Sequence, residues 1–190
     1  MSEIKKSLLA VLSLGLILAV VYLLASRTAE PAKPVIPAVS LEKSICEKVS
    51  EQFGEDCQRI LLFDPHSRLV FAETNSGIIP VLTNQEFTEF KQFIYPMMDF
   101  QEFNEEKGDR GAIDWRADKK SEKDFSIIYG FAEDDAKTIV INSEDNIQPT
   151  RFYVRDNLWV WYAVFEKDEI KLPVEVTVYD EEGRIVKGNE

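Results

Sequence analysis

Residues Leu8 to Ala25 form an uncharged apolar run, preceded by Lys5 and Lys6 and closed by Arg27. At about 1.5 Å per residue, a helix over this run reaches roughly 27 Å, close to the hydrocarbon thickness of a bilayer. The run is longer than the roughly 7 to 15 residues of a secretory h-region. Its cleavage sites are poor, offering Leu23 and Ala25 or Ser26 and Thr28 at the positions where small residues are wanted. Residues 1–27 therefore read as an N-terminal transmembrane signal-anchor, with a removed signal peptide as the alternative. No cysteine follows directly, so a lipobox is not offered. Lysines before the span and acids after it predict a single-pass protein of the cell membrane, with its N-terminus in the cytoplasm and its C-terminal domain extracytoplasmic.

Without residues 1–27, which carry Glu3, Lys5, Lys6 and Arg27, the chain holds 33 acids and 19 bases, a formal charge of −14. Such a field repels phosphate backbones, so nucleic acid is not an expected partner. Roughly 150 exported residues, rich in aromatics, are enough for one sizeable core or two small ones. Cys46 and Cys57 are the only cysteines. An even pair in an oxidising compartment predicts a disulfide.

Residues 28–39 carry Pro31, Pro34 and Pro37 at three-residue steps, which predicts an extended stalk. The remainder reads as α+β: an α-β-β-β-α lobe over 40–101, a charged loop or link over 102–124, and an antiparallel β-sandwich-like lobe over 125–190. In the first lobe, Leu41, Ile45, Val49 and Phe53 recur at every fourth position, with Ser40 as N-cap and Gly54 past the end, the pattern of an amphipathic helix. Three strands follow, at Arg59 to Phe63, Arg68 to Glu73 and Gly77 to Leu82, between turn-forming segments. Thr83 and Glu86 have the spacing of a capping box, and Phe87, Phe90 and Ile94 fall on one helical face, which predicts a second helix ending at Pro96.

From Phe125 onward the signals are all β. Asp156-Asn157 suits a tight hairpin, and Asp180 to Gly183 a four-residue turn. Leu158 to Phe165 is apolar on both faces, so it is expected to be a central strand.

Ile127-Ile128-Tyr129-Gly130, Pro149-x-Arg151-Phe152, Trp159-x-Trp161-Tyr162 and Tyr179-Asp180-x-x-Gly183, after the meander and Trp115, are the landmarks of residues 45–187. In these the chain resembles uncharacterised membrane-anchored or secreted β-rich proteins of spore-forming Gram-positive bacteria. The resemblance implies an extracytoplasmic β-rich domain and carries no catalytic residues.

Chemistry-bearing constellations are sparse. His66 is the only histidine, and it sits in a turn without a nucleophile motif around it. No phosphate-binding loop, dinucleotide fingerprint or zinc motif occurs. Acidic turns at Glu133-Asp134-Asp135, Asp156-Asn157 and Asp180-Glu181-Glu182 offer oxygen ligands for calcium, although acidic turns are ordinarily just solvated. No metal, cofactor or enzymatic activity is expected. Tyr153, Trp161, Tyr162 and Trp115 are the candidate binding residues. The first reading is a protein-interaction module with a partner in the cell envelope, contacting it through edge strands and a Tyr153/Tyr162 face. The alternative is a glycan or small-ligand binder using an aromatic platform of Tyr153, Trp159, Trp161 and Tyr162.

Overall fold

Helix α1, Val39–Phe53, buries Leu41, Ile45 and Val49 and ends where Gly54 takes φ +70° and donates its N–H to the Ser50 carbonyl. These coordinates are a computed structural model describing residues 39–186. The expected membrane span and all but the last residue of the expected stalk lie outside the described residues. Among the described residues, no helix is long and apolar enough to cross a membrane. The helix begins one residue before Ser40, which therefore lies inside its first turn.

Three strands follow as expected: β1 at Arg59–Asp64, β2 at Leu69–Glu73 and β3 at Gly77–Thr83. The predicted second helix does not form. Residues 84–89 make a turn, and the chain then runs as strand β4, Phe90–Phe93, and short strand β5, Met98–Asp99. The physical reason is a side-chain-closed turn together with pairing into sheet 1. The Asn84 side chain accepts the backbone N–H groups of Thr88 and Glu89, Phe87 takes φ +52°, and the Thr83 hydroxyl donates to the Arg68 carbonyl instead of capping a helix. The antiparallel order β1-β2-β3-β4, with β5 also on β3, makes sheet 1.

Residues expected to form a charged loop instead make helix α2, Phe100–Arg110, and strand β6, Arg116–Glu122. Asp99 Oδ1 caps α2 by accepting the N–H groups of Gln101 and Glu102 at 2.7 and 2.9 Å. Only Phe100 and Phe103 of this helix are buried. One apolar contact three residues long is a weak periodic signal, so capping and these two rings carry the helix.

The C-terminal strands follow the sequence closely: β7 Phe125–Glu133, β8 Thr138–Ile141, β9 Thr150–Arg155, β10 Leu158–Phe165, β11 Val176–Tyr179 and β12 Ile185–Val186. They form sheet 2, in the order β6-β7-β10-β9, and sheet 3, in the order β12-β11-β8. Strand β10 is indeed interior to its sheet.

The sheets and α1 stack in layers, which explains why so many strands are buried on both faces. Leu41, Ile45 and Val49 of α1 cover Val70, Ala72, Ile79 and Val81 on one side of sheet 1. The other side of sheet 1, with Leu69, Phe71 and Leu82, meets Ile127, Tyr129, Val160 and Tyr162 of sheet 2, with Phe100 and Phe103 of α2 joining them. Ile128, Trp161 and Ala163 on the far side of sheet 2 pack on Ile139, Ile141, Val176 and Val178 of sheet 3. Residues from both stretches expected as lobes thus share a core. The fold is mixed α+β with antiparallel sheets. Cys46 and Cys57 stand at disulfide distance, with their Cα atoms 5.0 Å apart, and link α1 to the segment entering β1.

Candidate functional site

The β9–β10 hairpin turns at Asp156 and Asn157, both at positive φ (+43° and +68°), as a two-residue type I′ turn requires. Arg155 pairs with Leu158, but the register then shifts, and Trp159 pairs with Tyr153 rather than with Val154. A one-residue slip moves every later side chain to the other face. Tyr153 and Arg151 are therefore on the face of Trp159 and Trp161, while Phe152 and Thr150 share the face of Tyr162. The expected Tyr153/Tyr162 face does not exist, because the bulge separates the two residues.

Trp161 is fully buried, and its indole N–H is shared between the carbonyls of Asp114 and Phe131, each at 3.1 Å. Tyr162 is 3% exposed and packs on Phe71 and Phe152. Its hydroxyl donates to Asp64 Oδ2 at 2.9 Å. Trp115 is half-buried against the core between sheets 2 and 3. Of the four residues singled out from sequence, only Tyr153 offers a large open surface, at 54% exposure.

Around Tyr153 the structure assembles a different set. The Trp159 ring meets Tyr153 edge-on, with centroids 5.3 Å apart and planes at 75°. The Arg151 guanidinium lies 5.0 Å from the Trp159 centroid and donates to the carbonyls of Ala136 and Lys137. The Trp159 indole N–H donates to Asp134 Oδ1 at 2.5 Å. Each side chain is held by a neighbour before any partner arrives. Beside Arg151 opens a cleft of about 210 Å³ lined by Lys137, Thr138, Gln148 and Pro149 among others. Trp159 belongs to the aromatic set of the expected platform, whereas nothing in the sequence marks Arg151 as a site residue. Their meeting with Tyr153 depends on the bulge, which leaves no periodic signal.

The acidic turns are occupied by the fold itself. Besides the Trp159 indole on its carboxylate, Asp134 donates its backbone N–H to Asn157 Oδ1, and Asp180 ties its turn to Arg184. Among the described residues, no three His, Cys, Asp or Glu side chains converge as a metal set would require.

Among the described residues three carboxylates are buried, those of Glu73, Asp114 and Glu144. Asp114 is 2% exposed, and burial pushes its carboxyl above the ordinary range despite the Arg116 guanidinium beside it. Its Oδ1 accepts the Phe131 N–H at 2.5 Å, its Oδ2 is bonded by Arg116, and Arg116 also reaches Glu102 at 2.7 Å. The crevice next to it has no room for a water molecule. Oδ1 holds residues 113–114 against β7 and Oδ2 is tied to Arg116 at the start of β6, so both oxygens do structural work.

Compared with protein-family models, curated proteins and solved structures, the chain matches none.

Proposed function

We propose that the folded unit is a protein-interaction module, carried outside the cell on an N-terminal membrane anchor, and that it meets its partner through Tyr153, Trp159 and Arg151. The observation that supports this reading is the composition and rigidity of that patch. Tyr, Trp and Arg are the residue types most enriched among binding hot spots, and here a half-buried Trp159 touches both the exposed Tyr153 and the exposed Arg151 on one face of the hairpin. Because their rotamers are already held, little side-chain entropy is lost on binding. The cleft beside Arg151 would receive a side chain of the partner.

The reading of an aromatic platform for a glycan loses its support at this place. Trp161 and Tyr162 are in the core, and Tyr153 and Trp159 meet edge-on, so the rings present no common flat face.

The test is crosslinking of full-length protein in intact cells, followed by mass spectrometry of what is recovered, with wild type and Tyr153→Ser in parallel. The reading expects one reproducible envelope protein whose recovery falls at least tenfold with Tyr153→Ser. Equal recovery from both would overturn the site.

A further inference from the structure

A second cleft, of about 480 Å³, lies between α1 and the edge strand β4, remote in sequence from the patch on β9. Its apolar wall is a cluster of aromatic rings. Phe93 is at the centre, with Phe53 5.1 Å away at 78°, Phe90 4.8 Å away at 64° and Tyr95 6.5 Å away at 76°. The Lys48 ammonium, 5.1 Å from the Phe90 centroid, covers that ring. Tyr95 is left open, at 48% exposure.

The polar lining is unlike the rest of this acidic chain. Lys48 and Lys91 stand with Glu51 and Asp118, Lys91 being paired with Glu122 at 3.0 Å, and the primary amides of Gln52 and Gln92 complete the rim. Gln92 and Asp118 hold partners of their own in the fold, which keeps them in position. Charges of both signs around the rim favour neither an anion nor a cation. The cleft has paired donors and acceptors around an exposed aromatic face, and its volume falls in the range of roughly 300–1,000 Å³ usual for small-molecule sites.

We infer that this cleft binds a neutral saccharide, with a pyranose ring stacked on Tyr95 and its hydroxyls bonded by Gln52 and Glu51. The chemistry fits on both sides. The axial C–H edge of a pyranose is weakly positive and suits the negative face of an aromatic ring, while vicinal hydroxyls need mixed donors and acceptors at short range. A phosphorylated or uronic ligand would meet Glu51 and Asp118 along with the lysines. This site does not depend on the protein-interaction reading of the β9 patch.

The test is calorimetric titration of the full chain, held in a sugar-free detergent, with chitotriose and with cellotriose. A co-sedimentation arm with insoluble chitin separates a polymeric glycan from a free oligosaccharide as the source. The inference expects saturable binding of at least one trisaccharide, weakened tenfold or more by Tyr95→Ala, retained by Tyr95→Phe and unaffected by Tyr153→Ser. Gln52→Ala, at an exposed helix position where alanine does not threaten folding, is expected to weaken binding several-fold. Affinity should be the same in low and high salt. Absence of heat with both sugars, binding that survives Tyr95→Ala and Gln52→Ala together, or binding abolished by salt would each overturn it.

Discussion

The Tyr162 hydroxyl donates to Asp64 Oδ2 at 2.9 Å, across 98 residues of chain, and so joins an inner strand of sheet 2 to the first turn of sheet 1. The same carboxylate accepts the Ser67 hydroxyl at 2.5 Å and the His66 N–H at 3.0 Å. Asp64 is thus the point where a local turn and a long-range contact meet. A hydrogen bond to a charged acceptor contributes about 2 kcal/mol net. Tyr162→Phe keeps the ring among Phe71 and Phe152 and removes only that bond. It should lower the stability measured by urea unfolding by about 2 kcal/mol, whereas Tyr162→Ala should cost about 3–5 kcal/mol. Equal losses from the two variants would contradict this account of the residue.

The pH dependence follows from the same pair. Burial raises the Asp64 carboxyl, but the bonds from Ser67, Tyr162 and the His66 N–H outweigh it and hold the group below its ordinary range. A depressed folded value gives stability that is present above about pH 3.9, the unfolded value, and is lost as pH falls further. Tyr162 is pushed up, by burial first and then by Asp64, and Tyr129 is pushed up by burial and by Asp118. Their stability is present below about pH 10 and is lost as pH rises beyond it. Urea midpoints across pH should therefore fall at both ends. In Tyr162→Phe the folded Asp64 carboxyl moves back toward its unfolded value, so the acid fall as well as the alkaline fall should shrink. A variant whose pH profile parallels wild type would count against the coupling.

Much of this architecture is legible in the sequence. Nine strands and α1 are announced by alternation, turn residues and a stripe at every fourth position. Positive-φ turns at Asp156-Asn157 and Gly183 fall where the residue types predict them. Two segments are misread, for opposite reasons. The segment 83–94 carries a capping box and a helical stripe, yet Asn84 closes a turn with its side chain and Phe90 pairs into sheet 1. Tertiary pairing there outweighs a local helix signal. The segment 100–110 has almost no stripe, yet Asp99 caps it and two Phe rings dock it. The patch is the least legible part. Tyr153 was identifiable as a candidate, but its meeting with Trp159 depends on one bulged residue that no periodicity encodes.

Gly130 shows how closely residues 113–114 approach β7. A Cβ at that position would stand 2.1 Å from the Asp114 carbonyl oxygen and 2.9 Å from its Oδ1. Neither group can yield without giving up the bonds of Asp114 to Phe131 and of Trp161 to Asp114. Gly130→Ala should destabilise the domain by at least about 3 kcal/mol, at the upper end for one added carbon in a packed interior. An unchanged thermal midpoint would show that this approach is not a constraint.

The Cys46–Cys57 link closes a loop with a sequence separation of 11. In the chain-entropy model a loop this short contributes roughly 3 kcal/mol. Urea unfolding with and without a phosphine reductant should differ by about that amount. The patch on β9, in another part of the fold, should retain its activity in the reduced protein under native conditions. Loss of partner recovery on reduction, without unfolding, would move the contact region to α1.

The most direct measurement for the proposed function places a photoreactive benzoyl-phenylalanine at position 153 of the full-length protein and irradiates intact cells. The account predicts one reproducible protein adduct, identified by mass spectrometry. It should be absent when the same group stands at exposed position 185 of β12, and lost when Trp159→Ala is added. An adduct pattern at 153 no different from that at 185, or no protein adduct at 153, would contradict the claim that this patch is where the molecule meets its partner.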